Sequence, residues 1–475
     1  MADSAIGNRA EFQRRSWAAE GIGLGLYAAL IVIAPDWRWA CAAMAPLIFL
    51  PLASWSLAEP GRWFAAFCVV SLLLPPLPFA VGNSSPHAAI LFGVLGLWCG
   101  LARLSDWGIR TEGLTLAMLL FPSALLVSIP FAAVYSGAGV AAASLVRVGL
   151  LCVAIFTFFF FAAGPGSRAR IGGWAGIRGF YFAAAGSALF ACVDFYFQFP
   201  PLAALGEQFV WLETGIYRRA QGVFYDAGML GNVCVFFLVM VVLAWLRPEA
   251  GLRIASRKML LAGGAVLSAA LLFSFSRSSL LSLAVALVAV FCLNRPRIGL
   301  LNLAGLAAAC LLSIIGLALF LTPGFARHYA VRAWQTLTQF EVMLGGRLET
   351  WETILDFLAA NPWHAVFGVG FKTLPYSTFV GENLILDNMY LSTLVETGLV
   401  GLAAMVFLSG AILVAGYRAA RSDRPVASFC GAWIFCFWCG QLFQMASVDV
   451  LTYWRVLPIY FFVLALAVRR PTEAG

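Results

Sequence analysis

Long apolar runs recur along this 475-residue chain from residue 17 to residue 468. Each run is about 18–25 residues long, close to the length that crosses a bilayer as a helix. The runs lack the alternation of apolar and polar residues that membrane β-barrel strands show. With 62% hydrophobic and 11% charged residues, the chain has more apolar surface than a soluble domain can bury. The sequence therefore predicts an all-α, polytopic helical membrane protein.

We predict about 12–14 transmembrane helices. Short turns separate some neighbouring runs, so some pairs are candidates for re-entrant segments and the smaller counts stay open. The fourteen-span interpretation places the spans at about 17–34, 37–57, 63–82, 86–102, 114–135, 138–163, 179–197, 227–246, 259–275, 279–294, 299–322, 388–416, 426–445 and 450–468.

The basic residues are distributed unevenly between the two sides of these predicted spans. One set of connections holds 20 of the 30 Lys and Arg residues, so the positive-inside rule makes that set cytoplasmic, with both termini. The net charge of +8 then comes mostly from loop arginines that set the orientation of the protein in the membrane, so it does not indicate nucleic-acid binding. Of the other ten, Arg38 stands apart and Arg147 and Arg455 fall within predicted spans. The remaining seven lie in three outside segments: Arg218, Arg219, Arg277, Arg327, Arg332, Arg347 and Lys372.

The three outside segments are residues 198–226, the tight turn 276–278 and the long stretch 323–387. Within the last, Arg347–Ala360 has helical spacing, and Asn361-Pro362 is expected to end the helix. We expect Trp351, Ile354, Leu355 and Leu358 on its apolar face. A loop this long is more often functional than an inert connector. We therefore predict N-terminal helices over 1–197, a catalytic core over 198–416 that includes 323–387, and C-terminal helices over 417–475.

Four polar motifs interrupt the second half of the chain. Their shared property is that each places a guanidinium or a carboxylate next to the predicted end of a span. They are Arg218-Arg219-Ala-Gln-Gly-Val-Phe-Tyr-Asp226, Ser274-Phe-Ser276-Arg277-Ser278-Ser279, Arg347-x-x-x-Trp351 with Asn361-Pro362 and Phe367-Gly368-Val-Gly370, and Asp387-Asn388-Met-Tyr390-Leu391 with Glu396-Thr-Gly398.

Arginines at span depth indicate an anion. An arginine such as Arg277 is costly near the membrane unless it meets an anion or lines a wet cavity. The guanidinium fork matches phosphate oxygens, and several arginines can hold a pyrophosphate and neutralise it as a leaving group. The serines add hydroxyl donors, and Gly368-x-Gly370 is expected to let backbone approach a ligand. For any single arginine, snorkelling to a lipid phosphate is the alternative.

The carboxylates have both a chemical and a structural interpretation. Asp387 is placed to accept a proton from a sugar hydroxyl, or to orient that hydroxyl. Its alternative role is to cap the helix that follows, and the same alternative holds for Asp226. Glu396, inside an apolar run, is predicted either to line a cavity or to pair with a neighbouring helix. Cys436 and Cys439 are interpreted as core packing.

The ordered set of motifs resembles the O-antigen ligase / Wzy-type polymerase family, over residues 215–405. The resemblance implies a GT-C-like fold and a metal-independent glycosyltransferase without a cofactor. It also implies that the enzyme acts at the periplasmic face of the bacterial inner membrane, on glycans carried by undecaprenyl pyrophosphate. By the same resemblance Arg219 and Arg277 face the pyrophosphate, and Arg347 opens the amphipathic helix.

One position departs from the ligase pattern. Ligases of this family typically carry a histidine before the asparagine of the fourth motif, where this chain has Asp387, and His328 and His364 lie elsewhere in the loop. We therefore expect polymerisation of O-antigen or exopolysaccharide repeats. The alternatives are ligation of a polymer to lipid A-core or another acceptor, and transport of lipid-linked sugars.

The expected site and partners follow from this resemblance and from the motifs. The partners are the undecaprenyl-pyrophosphate-linked glycan, a glycan or lipid A-core acceptor, membrane lipids and a chain-length regulator, with no nucleic acid. No metal ligands are predicted. The predicted catalytic residues are Asp387, Arg277 and Arg219, and the predicted substrate-binding residues are Arg218, Arg347, Asn388, Tyr390, Trp351, Ser276 and Lys372.

Overall fold

The computed structural model of this chain describes residues 49–77, 86–199, 208–212, 215–224, 226–294, 347–381 and 383–469. By its contacts the chain divides into Met1–Glu59 and Pro60–Gly475. The described part of the first unit is helix α1, Phe49–Ala58. Predicted spans 17–34 and 299–322, most of span 37–57, and Arg38, Arg327, His328 and Arg332 lie outside the described residues.

The described part of the second unit is built mainly of helices. In the described ranges, seven helices are long and apolar enough to cross a membrane, and a bent pair makes a possible eighth. The bent pair is α8 and α9, which meet at 79°. The helices in chain order are α2 Arg62–Leu73, α3 Ala89–Leu101, α4 Gly113–Ser136, α5 Ala138–Ala163, α6 Trp174–Phe197, α7 Ala227–Leu246, α8 Pro248–Ile254, α9 Arg257–Phe273, α10 Arg277–Asn294, α11 Arg347–Ala360, α12 Pro362–Phe367, α13 Met389–Ala420, α14 Pro425–Gln444 and α15 Leu457–Val468.

The prediction of a polytopic helical membrane protein is confirmed. Helix α7 is the central element, since 94% of its apolar window is buried inside the protein, against 28% for α10. A helix that is apolar on all faces and buried to this extent is surrounded by other helices of the protein rather than by lipid. Helices α9, α10 and α14 pack against α7, and α13 packs against α4 and α14.

Two predicted spans contain helices whose bounds differ from those of the apolar run. In the described part of the run 63–82, the helix ends at Leu73, because Pro75 and Pro76 follow and neither can donate a helical hydrogen bond. The run 450–468 becomes α-helical only at Leu457, after a 3-10 turn over Val450–Thr452. Asp449 caps that turn by accepting a hydrogen bond from the Leu451 N–H at 3.2 Å.

Arg455 therefore lies in a connection and not within a span, which corrects the prediction. Its side chain is fully buried. It donates to the backbone carbonyl of Val223 at 3.0 Å and to that of Ser71 at 2.6 Å. Arg455 thus ties the end of the first polar motif to α2.

A small β-hairpin interrupts the all-helical pattern. Strands β1, Phe209–Leu212, and β2, Gly215–Arg218, pair antiparallel with Phe209 opposite Arg218. The hairpin leads directly into Arg219 and the start of α7. The first polar motif is therefore fixed by strand pairing on one side and by a helix on the other.

Helix α13 is broken where the sequence reads as one apolar run. Gly398 has a φ of 70°, a left-handed conformation that only glycine adopts without strain. The carbonyls of Val395 and Glu396 lose their helical partners at this break. They accept instead from the N–H groups of Val369 at 2.9 Å and Gly370 at 2.8 Å. The third motif therefore satisfies the backbone of the fourth.

This contact corrects the expectation that Gly368-x-Gly370 approaches a ligand. A Cβ on Gly368 would lie 2.4 Å from the Glu396 carbonyl oxygen, and one on Gly398 would lie 2.0 Å from the Val366 carbonyl oxygen. The glycines thus permit close backbone packing between the stretch 366–370 and the break in α13.

The predicted amphipathic helix is confirmed as α11, and Asn361 follows its last residue. Ile354 and Leu358 are buried in a cluster with Val369 and Val395, while Trp351 packs against it half-buried. Leu355, predicted on the same apolar face, is 54% exposed, so only part of that face is buried. The apolar face is narrower than its spacing suggested.

Candidate functional site

A tight turn between α9 and α10 carries Arg277. We call residues 274–279 the arginine turn. Phe275 has a φ of 50°, and Arg277 is the first residue of α10. Ser276 is buried, and its hydroxyl lies 2.8 Å from that of Ser279. A cation is unfavourable at the positive end of a helix dipole, whereas an anion is favourable there. Arg277 and the start of α10 therefore present positive charge from the same place.

Arg219 is held against the arginine turn. Its Nε donates to the Ser274 carbonyl at 2.8 Å, and the next residue, Ala220, donates its N–H to the Phe273 carbonyl at 3.0 Å. The carbonyls at the C-terminal end of α9 are negative, so they stabilise the guanidinium there. The structure therefore brings the first and second motifs together, as the resemblance implies.

Arg218, one residue earlier, has a different environment. It is buried, and its Nη2 lies 2.6 Å from Oδ1 of Asp194 on α6. Its backbone N–H donates to the Gln198 side chain at 2.8 Å. Arg218 therefore fastens the hairpin to α6, and its predicted contact with substrate stays a prediction.

A buried network of amides and hydroxyls supports the arginine turn from within the helices. Gln444 of α14 donates to the Ser279 hydroxyl at 3.0 Å and accepts from Asn232 of α7 at 2.9 Å. Asn232 also accepts from the Tyr460 hydroxyl of α15 at 2.6 Å and donates to Gln441 at 2.7 Å. Four helices thus fix the turn through groups that carry no charge.

Asp387 and Arg347, predicted in separate roles, lie together in an ion pair. The Nε and Nη2 of Arg347 reach one carboxylate oxygen of Asp387 at 3.2 and 3.0 Å. The two side chains are 30% and 50% exposed, so water and substrate can reach the pair. The third and fourth motifs meet here as well as at the glycines.

The capping alternative for Asp387 is wrong, since Asn388 caps α13 instead. The Asn388 side chain accepts from the N–H groups of Tyr390 at 3.0 Å and Leu391 at 3.1 Å. The Tyr390 hydroxyl donates to the Leu442 carbonyl at 2.8 Å. The observed contacts of Asn388 and Tyr390 are therefore structural ones that fix the start of α13. Asp387 is left outside the helix.

Asp226 is the capping residue of α7, as its alternative reading predicted. Its Oδ1 accepts from the Met229 N–H at 2.8 Å. Burial raises the pKa of its carboxyl group, the hydrogen bonds from backbone N–H groups and the charge of Arg219 lower it, and the charge of Asp387 raises it.

Lys372 lies in a second group of charges. It is buried, with a φ of 55°, and its ammonium pairs with the Asp449 carboxylate. Its backbone N–H donates to the Glu396 carboxylate. Arg147 of α5 donates to the Lys372 carbonyl at 3.1 Å and lies over the Tyr376 ring at 4.4 Å.

Burial lowers the pKa of Lys372, whereas the neighbouring Glu396 carboxylate raises it. This group ties residues 370–376 to α5, α13 and the connection after α14. The observed contacts of Lys372 are structural, and its predicted contact with substrate stays a prediction.

The described geometry thus converges on Arg219, Arg277, Arg347 and Asp387. Residues 262–406 match a family model described as O-antigen ligase. Over this stretch the chain is similar to the O-antigen ligase family. No curated protein matches the chain. The match begins within α9 and ends within α13, so it contains the second, third and fourth motifs but not Arg219. The predicted family is confirmed.

Similarity to this family implies a membrane enzyme that transfers glycosyl groups. Sequence reasoning missed Asp449 and Tyr453, which lie in the connection after α14. The signal was a polar cluster, Asp449 to Arg455, within a stretch whose apolar residues made it resemble the start of a span.

Proposed function

We propose that this protein polymerises glycan repeats by inverting transfer at the periplasmic face of the bacterial inner membrane. The donor is a glycan on undecaprenyl pyrophosphate. The acceptor is a hydroxyl at the non-reducing end of another lipid-linked repeat. The observation that carries the proposal is the contact of Arg219 with the arginine turn, beside Arg277 and the start of α10.

Charge supports the assignment of the leaving group to this turn. In the transfer, the acceptor oxygen bonds to the anomeric carbon and the bond from that carbon to the pyrophosphate oxygen breaks. The electron pair leaves with undecaprenyl pyrophosphate, and negative charge grows on its oxygen. Two guanidinium groups and helix N–H groups stabilise such charge best where it is already oriented, as a fixed turn provides.

The acceptor side is assigned to Asp387. The attacking hydroxyl loses its proton as the new bond forms, and a carboxylate is a suitable acceptor for it. Asp387 is exposed and is oriented by its contact with Arg347. The carboxylate at this position, in place of the histidine of typical ligases, favours polymerisation over ligation.

Loss of the gene separates the two reactions. We expect cells without it to accumulate single repeats on the lipid carrier and to lack long polymer. Accumulation of full-length polymer that stays on the carrier would show that the enzyme is a ligase to lipid A-core or another acceptor. Absence of any repeat at the periplasmic face would indicate transport of lipid-linked sugars. A chain-length regulator is a further expected partner of a polymerase.

A further inference from the structure

The connection between α14 and α15, residues 445–456, lies outside the matched stretch but contacts the first motif, the fourth motif and Lys372. Asp449 pairs with Lys372, Arg455 donates to the Val223 carbonyl at 3.0 Å, and the backbone carbonyl of Met445 accepts from the Met389 N–H at 2.8 Å. Three separate attachments fix this short stretch against the site. A side chain at its middle, Tyr453, is therefore held in a defined position.

Tyr453 is 2% exposed, and its hydroxyl points to the start of α7. A Cβ on Gly228 would lie 2.7 Å from this hydroxyl and 2.8 Å from Oδ1 of Asp226. Both oxygens thus approach Gly228, which has no side chain to cover them. In the part of the chain that the structure describes, the Tyr453 hydroxyl has no hydrogen-bond partner. A hydroxyl that makes no hydrogen bond to the described protein can donate to a group of a ligand.

The charges around Tyr453 decide what kind of ligand fits. Burial raises the pKa of Tyr453 well above its usual value, and the charges of Asp226 and Asp387 raise it further, while Arg219 lowers it. The phenol therefore stays protonated and donates. Two carboxylates beside it repel phosphate but accept hydrogen bonds from neutral hydroxyls. Sugar hydroxyls both donate and accept, so they match this set of groups.

On the basis of the proposed function, we propose that Asp226 and Tyr453 form the subsite for the acceptor sugar. Asp226 accepts a hydrogen bond from a hydroxyl next to the attacking one, and Tyr453 donates to an oxygen of the same sugar. Asp387 meets the attacking hydroxyl itself. The subsite has no covalent role. It orients the acceptor across from the two arginines that hold the leaving group.

Two substitutions remove these contacts and keep the structural roles of the residues. Asn caps helices about as well as Asp, so Asp226→Asn retains the start of α7 and removes the charge. Tyr453→Phe retains the buried ring and removes the hydroxyl. Glu352→Gln, on the exposed face of α11, is a matched control for the loss of a carboxylate.

The experiment measures acceptor and donor separately with the full-length enzyme in lipid nanodiscs. The donor probe is the lipid-linked repeat purified from cells without the gene. The acceptor probe is the oligosaccharide freed from that lipid by mild acid. We expect Asp226→Asn to weaken acceptor binding about 10–100-fold and Tyr453→Phe about 5–10-fold, in line with charged and neutral hydrogen bonds. Donor binding should stay within about twofold of wild type, and Glu352→Gln should change neither.

The outcomes separate this inference from the proposed function. Unchanged acceptor binding in both variants would overturn the subsite, and so would a loss of donor binding in place of acceptor binding. A wild-type enzyme that forms no polymer from the two probes would contradict the proposed function. Acceptor binding is measured without turnover, so the variants test the subsite in that case too.

Discussion

The two sides of the candidate site are anchored by different chemistry. The arginine turn is supported by uncharged groups, Gln444, Asn232 and Ser279, between four helices. The side that carries Asp387 is supported by charges, with Lys372 buried against Asp449 and Arg347 exposed against Asp387. The stability of a hydrogen-bond network of uncharged groups changes little with pH or salt, whereas the strength of an ion pair depends on both. We therefore expect a constant leaving-group side and an adjustable acceptor side.

Among substitutions on the acceptor side, the largest loss of stability should come from disrupting the backbone contact between residues 366–370 and the break in α13. Gly398→Ala places a Cβ 2.0 Å from the Val366 carbonyl oxygen in a left-handed conformation. We expect a loss of about 4 kcal/mol or more of the free energy of unfolding, since both backbone strain and a clash act together. Gly410→Ala is the matched control on the same helix, because its Cβ meets nothing within 4 Å.

Thermal unfolding in detergent, followed by size-exclusion chromatography, measures both variants. Gly410→Ala should unfold at or above the wild-type temperature, because alanine favours the helix. An equal unfolding temperature for Gly398→Ala and wild type would show that the break in α13 is not required.

The buried ion pair should have the next largest effect. Lys372→Met leaves the Asp449 charge buried without its partner, which costs about 3–5 kcal/mol. The double variant Lys372→Met with Asp449→Leu removes both charges, so it should recover much of that loss. Asp423→Leu, in the connection between α13 and α14, is a control for the removal of a carboxylate. A double variant no more stable than Lys372→Met would argue against the direct pair.

The pH dependence of this pair has a definite sign. Because burial lowers the pKa of Lys372 in the folded protein, folding favours its neutral form there. The ionisation of Lys372 therefore makes the protein least stable at pH values below its pKa in the folded state. As the pH rises from that pKa towards the pKa in the unfolded state, the free energy of unfolding increases. Lys372→Met should abolish this component of the pH profile, as measured by unfolding temperature between neutral and alkaline pH.

The smallest effect on stability should come from the exposed pair. Arg347→Gln breaks the contact with Asp387, but exposed pairs contribute only about 0–1 kcal/mol. Transfer should fall more than stability does, because Asp387 loses its orientation. The measurement is the rate of polymer formation beside the unfolding temperature, and high salt should lower the wild-type rate towards that of the variant. A rate equal to wild type at low salt would remove Arg347 from the acceptor side.

The sequence predicted the elements better than their contacts. Apolar runs predicted most of the described helices, and spacing predicted α11, because both properties are local. The break at Gly398 was hidden, since a glycine within an apolar run does not change its hydropathy. Tyr453 was hidden because its apolar neighbours resemble the start of a span.

The pairings were also beyond the sequence. Arg347 and Asp387 are 40 residues apart. Their motifs meet through the packing of the glycines against α13 and through the apolar cluster of Ile354, Leu358 and Val395. Arg218 and Arg219 are adjacent and similar in sequence. Yet one is buried in an ion pair with Asp194 and the other contacts the arginine turn, a distinction that depends on the direction of each side chain from the hairpin.

The central claim is that Arg277 stabilises the leaving pyrophosphate. The measurement is single-turnover transfer by the enzyme in nanodiscs, with purified lipid-linked repeats, for wild type, Arg277→Lys and Arg277→Ala. We predict that Arg277→Ala lowers the transfer rate about 10²–10³-fold and that Arg277→Lys recovers part of it, because the positive charge returns without the fork. The unfolding temperature should stay near that of wild type. A wild-type transfer rate in correctly folded Arg277→Ala would contradict the claim.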